Sequence, residues 1–77
     1  MPAPPDDDTL AYRQAVGARI RELRIHAKLT QWTLGDLAGA DHKTIHRIEY
    51  GVTDPPFSLL IRIAWALDVD LADLLRT

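Results

Sequence analysis

Residues 30–51, TQWTLGDLAGADHKTIHRIEYG, restrict the fold more than any other stretch, because their periodicity demands two short helices joined by only a few residues. Residues that face a core recur along a helix at steps of three and four, and Leu34, Leu37 and Ala38 make such a stripe in the first of the pair. Thr30 suits its N-cap, where a hydroxyl accepts from a backbone N–H that the helix start leaves unpaired. Gly39 stands where a left-handed residue closes a helix, and Asp41 is a good N-cap for the next. In that second helix, residues 42–50, Thr44, Ile45 and Ile48 point one way while His42, Lys43, His46, Arg47 and Tyr50 point the other, and Gly51 ends it. A short helix with hydrogen-bonding side chains along one face, two of them permanently cationic, suits the major groove of DNA, which admits one helix and presents base-edge acceptors.

These residues also carry a family resemblance. Gln31, Leu34, Gly39, Ile45, Ile48, Glu49 and Gly51 fall where the Cro and phage-repressor type (XRE) helix-turn-helix family has them. The likeness extends over residues 16–75: IRELR at 20–24 resembles the first helix of the family, and Pro55 followed by LLIRIAWALDVDLADLL at 59–75 resembles its fourth and fifth. The resemblance implies an all-α, five-helix repressor-like bundle with a helix-turn-helix. It implies a sequence-specific transcriptional regulator of bacterial or phage type, repressor-like, acting as a homodimer on a double-stranded DNA operator whose half-sites lie about one turn apart. Carried over by position, it implies a phosphate contact at Gln31, base-edge contacts from His42, Lys43 and Arg47, and an ion pair between Arg24 and Glu49 that locks the reading helix onto the first helix. His46 lies between the base-reading positions on the same face, and Tyr50 ends it as a further phosphate contact.

Two tryptophans need a reason. The helical wheel exposes Trp32, whose indole N–H can reach a phosphate beside Gln31; it can equally meet a protein or be covered by a neighbouring side chain. Trp65 joins Ile61 on the flank of the fourth helix, and with Leu71 or Leu75 the pair can form a twofold dimer patch, as the last helices of the family often do. The other reading packs Trp65 against the start of the first helix near Tyr12. A protein-interaction module on the same fold, antitoxin-like or an adaptor, using Trp32, Ile61 and Trp65 for an unknown partner, is the alternative function.

The net charge of −2 runs against a nucleic-acid partner only until its distribution is read. Residues 1–10 carry Asp6, Asp7 and Asp8; residues 11–50 carry seven Lys or Arg against four acids; residues 51–77 carry two against four. The middle, which holds the reading unit, is therefore +3 while both ends are acidic. Family members often place Lys or Arg just after the reading helix, whereas Val52, Thr53 and Asp54 supply none, so the phosphate clamp is thin. Gly35 replaces a commoner Ala and by propensity alone costs about 1 kcal/mol.

The remaining features set bounds. Residues 1–8, MPAPPDDD, form an acidic Pro-rich tail expected to be disordered, and residues 9–77 form the domain. Thr9 is expected to cap a first helix with the stripe Tyr12, Val16, Ile20, Leu23 and Ala27; its Arg13, Arg19, Arg21 and Lys28 read as a solvated face. Pro55 and Pro56 suit the start of a fourth helix with inward Phe57, Leu60, Ile63, Ala64 and Leu67; Asp68 can take the left-handed position after it, and Asp70 can cap a last helix over 71–75. There is no Cys, and His42 and His46 at i, i+4 are only two ligands, so no metal and no cofactor is expected. Ser58 is the only Ser and no Gly-rich phosphate loop exists, which excludes the usual enzyme chemistries. No apolar run reaches the 18 or so residues of a membrane span and no signal-peptide pattern opens the chain, so a cytoplasmic, nucleoid-associated protein is expected. The chain stops just after the last expected helix, where a longer regulator would continue into a sensor or dimerisation domain.

Overall fold

Capping chemistry opens three of the helices, those that start at Gln31, His42 and Leu71. The computed structural model describes residues 6–76, which form five α-helices: α1 Asp6–His26, α2 Gln31–Ala38, α3 His42–Glu49, α4 Phe57–Ala66 and α5 Leu71–Leu75. The Thr30 hydroxyl accepts from the Thr33 N–H at 3.0 Å and opens α2. The Asp41 carboxylate accepts from the Thr44 N–H at 2.7 Å and opens α3. A capping box between Asp70 and Asp73 opens α5.

The first four helices close by one device. A residue with positive φ follows each, and the next N–H reaches back five residues to a carbonyl the helix leaves free. Gly39 and Gly51 take that place after α2 and α3; Asp68, as expected, takes it after α4, and Lys28, at φ 61°, takes it after α1.

Two expectations about the chain start are corrected. α1 already includes Asp6–Asp8, so these residues belong to the helix rather than to a tail, and Thr9 lies inside it instead of capping it. A run of acids is a helix-start composition, since the unpaired N–H groups of a first turn favour negative charge. Residues 1–5 of the expected tail lie outside the described residues.

The core gathers Ile20, Leu34, Ala38, Ile45, Ile48, Leu59, Ile63, Ala64, Leu67 and Leu74, each buried Ile or Leu contributing about 1.5–3 kcal/mol. α1 packs on α3 and α5, α2 packs on α3 and α4, and α4 packs on α5. Four residues expected inside are exposed instead. Tyr12 stands exposed beside a small groove with Pro55, Leu60 and Leu75, and Ala27 falls beyond the end of α1. Leu37 turns out to solvent because α2, wedged between α3 and α4, presents Leu34, Gly35 and Ala38 inward. Phe57 starts α4 on its flank, since the inward face of that helix runs through Leu59, Ile63 and Ala64.

Close backbone approaches explain two glycines. A Cβ on Gly17 would lie 2.2 Å from the Ile48 carbonyl oxygen, so α1 crosses the end of α3 at a distance only glycine permits. A Cβ on Gly35 would lie 2.4 Å from the Ala40 carbonyl oxygen, so the tight turn between α2 and α3 rests against the bare backbone of α2. The helix-propensity cost of Gly35 therefore makes room for the turn.

Candidate nucleic-acid interface

α3 is held from behind before it offers anything in front. Ile45 and Ile48 sink into the core, and Glu49, only 3% exposed, turns its carboxylate inward. Arg24 of α1 meets it twice, through Nε to Oε2 at 2.6 Å and Nη2 to Oε1 at 3.1 Å, while Arg24 Nη1 donates to the Leu29 carbonyl at 2.8 Å. Gln31 of α2 donates its side-chain amide to Glu49 Oε1 at 3.1 Å. One buried carboxylate thus ties three helices, and no buried side-chain N or O among the described residues lacks a partner.

The arginines assigned to a solvated face are partly structural too. Arg13 Nε donates to the Gly51 carbonyl at 2.8 Å, just past the end of α3, and Arg19 Nε donates to the Asp73 carbonyl at 3.1 Å. Arg62 Nε of α4 does the same for the Ala38 carbonyl at 2.8 Å. Arginine side chains reaching across to the ends of other elements have no local pattern in sequence, which is why a reading by faces misses them.

On the outward side, Gln31, His42, Lys43, His46 and Arg47 line one shallow concavity of about 340 Å³. The four residues expected to read bases are therefore together, on one helix face and beside the start of α2. Lys43 and Arg47 make no hydrogen bond or ion pair with other described residues. The histidines, in contrast, are held. His42 stacks on Trp32 of α2, with ring centroids 3.6 Å apart and planes 16° from parallel. Gln31 Nε2 lies 3.5 Å from His46 Nδ1, and the ring of Tyr50 tilts against His46 at 4.7 Å.

Asp41 belongs to the same electrostatic set. The Thr44 backbone N–H that it accepts, and then the Thr44 side chain, hold its carboxyl below the ordinary carboxylate range, with smaller help from His42 and Arg47.

The phosphate contacts expected from Gln31, Trp32 and Tyr50 meet a mixed geometry. The side-chain amide of Gln31 is committed to Glu49 and His46. Trp32 and Tyr50 remain exposed at the edges of the face, each with one ring engaged to a histidine.

The expected dimer patch divides. Ile61 and Trp65 stand exposed one turn apart on α4, with Trp65 at 86%, and Phe57 extends them into an apolar ridge at i, i+4, i+8. The packing of Trp65 near Tyr12 does not occur: both residues are exposed. Leu71 is partly buried against the core, and Leu75 opens into a small apolar groove with Tyr12, Pro55 and Leu60.

Residues 15–76 match a protein family described as helix-turn-helix domain. The fold superposes on the restriction-modification controller protein C.AhdI from Aeromonas hydrophila with a TM-score of 0.82 and 33% identity, over 83% of this chain and 97% of that one. The clp gene regulator ClgR from Corynebacterium glutamicum gives a TM-score of 0.81 and 26% identity over 83% and 68% of the two chains. The P22 c2 repressor protein, crystallised with a synthetic operator, gives a TM-score of 0.76 and 32% identity over 82% and 96%.

Proposed function

The chain belongs to the helix-turn-helix domain family, of the Cro and phage-repressor type, and from that premise we propose how it works. It is a DNA-binding transcriptional regulator. α3 lies in the major groove of double-stranded DNA, with His42, Lys43, His46 and Arg47 facing the base edges. Lys43 and Arg47 donate to guanine O6 and N7, a good bidentate contact being worth about 1–3 kcal/mol of discrimination. The start of α2 approaches the phosphates, where helix N-termini favour anions, and the Trp32 indole N–H and Tyr50 hydroxyl add donors at the two edges. Because its amide already serves Glu49 and His46, Gln31 contributes chiefly by its place at that helix start.

The observation that carries this reading is the contrast between the two sides of α3. Its back is immobilised by Ile45, Ile48 and the Arg24–Glu49 pair, while Lys43 and Arg47 are the charged groups left unpaired in front. A rigid element presenting unpaired cations is suited to a polyanion with a regular groove. The complex of the P22 c2 repressor with a synthetic operator supports the same partner.

Two copies acting together fit an operator with twofold symmetry, and the Phe57, Ile61, Trp65 ridge is the surface we assign to the homodimer. Trp32 is engaged with His42, which ties one of the three residues proposed for an unrelated protein partner to the α3 face. The reading assigns no catalytic step. No described helix is long and apolar enough to cross a membrane.

Replacing Lys43 and Arg47 together by Ala tests it. Both side chains are exposed, so the helical signal in circular dichroism should persist while selective DNA binding is lost. Selective binding that survived the double replacement would contradict the assignment.

A further inference from the structure

We propose that Trp32 is a specificity-positioning residue, which holds the His42 imidazole so that one base pair of each half-site is read through its edge. The inference rests on the reading of α3 as the base-reading helix and adds a residue of α2 to it. Trp32 is the second residue of α2 and His42 is the first residue of α3, so their stack spans the tight turn between the two helices. That turn is rigid: Gly39 is left-handed, the Ala40 carbonyl rests on Gly35, and Asp41 caps α3. The indole therefore starts from a fixed base, although Trp32 is 63% exposed.

A histidine at the first turn of a helix has neighbours on one side only and samples several rotamers when nothing confines it. The near-parallel indole at 3.6 Å covers one imidazole face and restricts the ring to one plane. The polar atoms of imidazole all lie in that plane, on its edge, and base edges in the major groove are read by in-plane donors and acceptors. The stack thus directs hydrogen-bonding capacity into the groove and withholds the apolar face. His46 is held in a parallel way, since Gln31, also of α2, lies against its Nδ1. The start of α2 thereby orients both histidines, leaving Lys43 and Arg47 to adapt.

The test compares wild type, W32A, W32F, H42A and the W32A/H42A pair on a duplex library in which each base pair of the half-site is varied in turn. W32A should flatten the preference by about three- to tenfold, the strength of one aromatic pair, at the same base pair that H42A affects. Its affinity for random duplex should fall only as far as that of W32F, since both variants lack the indole donor to phosphate. W32F should restore most of the preference, and W32A/H42A should be no flatter than H42A alone. In DNA-free protein, the ring protons of His42 should lie upfield in wild type and W32F relative to W32A. Unmoved His42 ring protons, a loss of affinity with no flattening of base preference, or a change at another base pair would each overturn the inference while leaving base reading by α3 intact. A wild type with no base preference anywhere would instead overturn the function on which it rests, and the inference with it.

Discussion

Arg24 and Glu49, 25 residues apart in the chain, share two hydrogen bonds, one of 2.6 Å and one of 3.1 Å, and the carboxylate they enclose also receives Gln31. The pair sits behind α3, and Gln31, which also lines the concavity in front, links it to that side. Its importance lies in asymmetry: removing one partner strands a desolvated charge, whereas removing both leaves a cavity that apolar groups can fill. R24A should therefore lose about 3–5 kcal/mol in urea unfolding, a large part of the stability of so small a domain. The pair Arg24→Met with Glu49→Leu should be markedly more stable than R24A alone.

Gly35 offers a test in which two principles disagree in sign. Propensity says that Ala there should stabilise α2 by about 1 kcal/mol. The close approach of the Ala40 carbonyl says that a Cβ must displace the turn. The clash should prevail, so G35A should lower the urea midpoint, and overpacking of this kind typically costs about 1–3 kcal/mol. A higher midpoint would show that the turn yields at no cost.

Asp41 links the start of α3 to pH. Its folded carboxyl is depressed, chiefly by the Thr44 backbone N–H, so its contribution to stability is present above the ordinary carboxylate value and is lost as pH falls through the lower folded one. Wild type should therefore exceed D41A in melting temperature near neutral pH, and the difference should shrink below about pH 4. D41N, which keeps a capping oxygen without a titrating group, should lack that part of the pH dependence. The comparison is made by thermal denaturation across the acid range.

Trp65 tests the assembly. Among the described residues it is the most exposed large hydrophobic, and it continues the line of Phe57 and Ile61. W65E should leave the fold unchanged and convert the proposed dimer to a monomer in sedimentation equilibrium. A dimer undisturbed by W65E would place the twofold contact elsewhere.

Local chemistry made much of this legible in the sequence. Thr30, Gly39, Asp41 and Asp68 act through backbone groups within a few residues, so their roles could be read from their neighbours. Leu37, Phe57 and Tyr12 were misplaced because a helical wheel relates residues to one another but not to the neighbouring helix that decides which of them is covered. Asp6–Asp8 looked like part of a tail by composition, although acids equally suit a first helical turn. At the reading face, the cluster of His42, Lys43, His46 and Arg47 followed from helical spacing. The stack of Trp32 on His42 did not, since it depends on how the turn sets α2 against α3. Gly17 carried no sign of its crossing with α3, because only the packed structure brings the Ile48 carbonyl to it.

The central claim, that α3 reads base pairs for a twofold regulator, is tested most directly by selection from random duplex DNA at low and near-physiological salt. Enrichment of two inverted half-sites with centres about 10–10.5 base pairs apart is the predicted result. No enriched motif at either salt would contradict it.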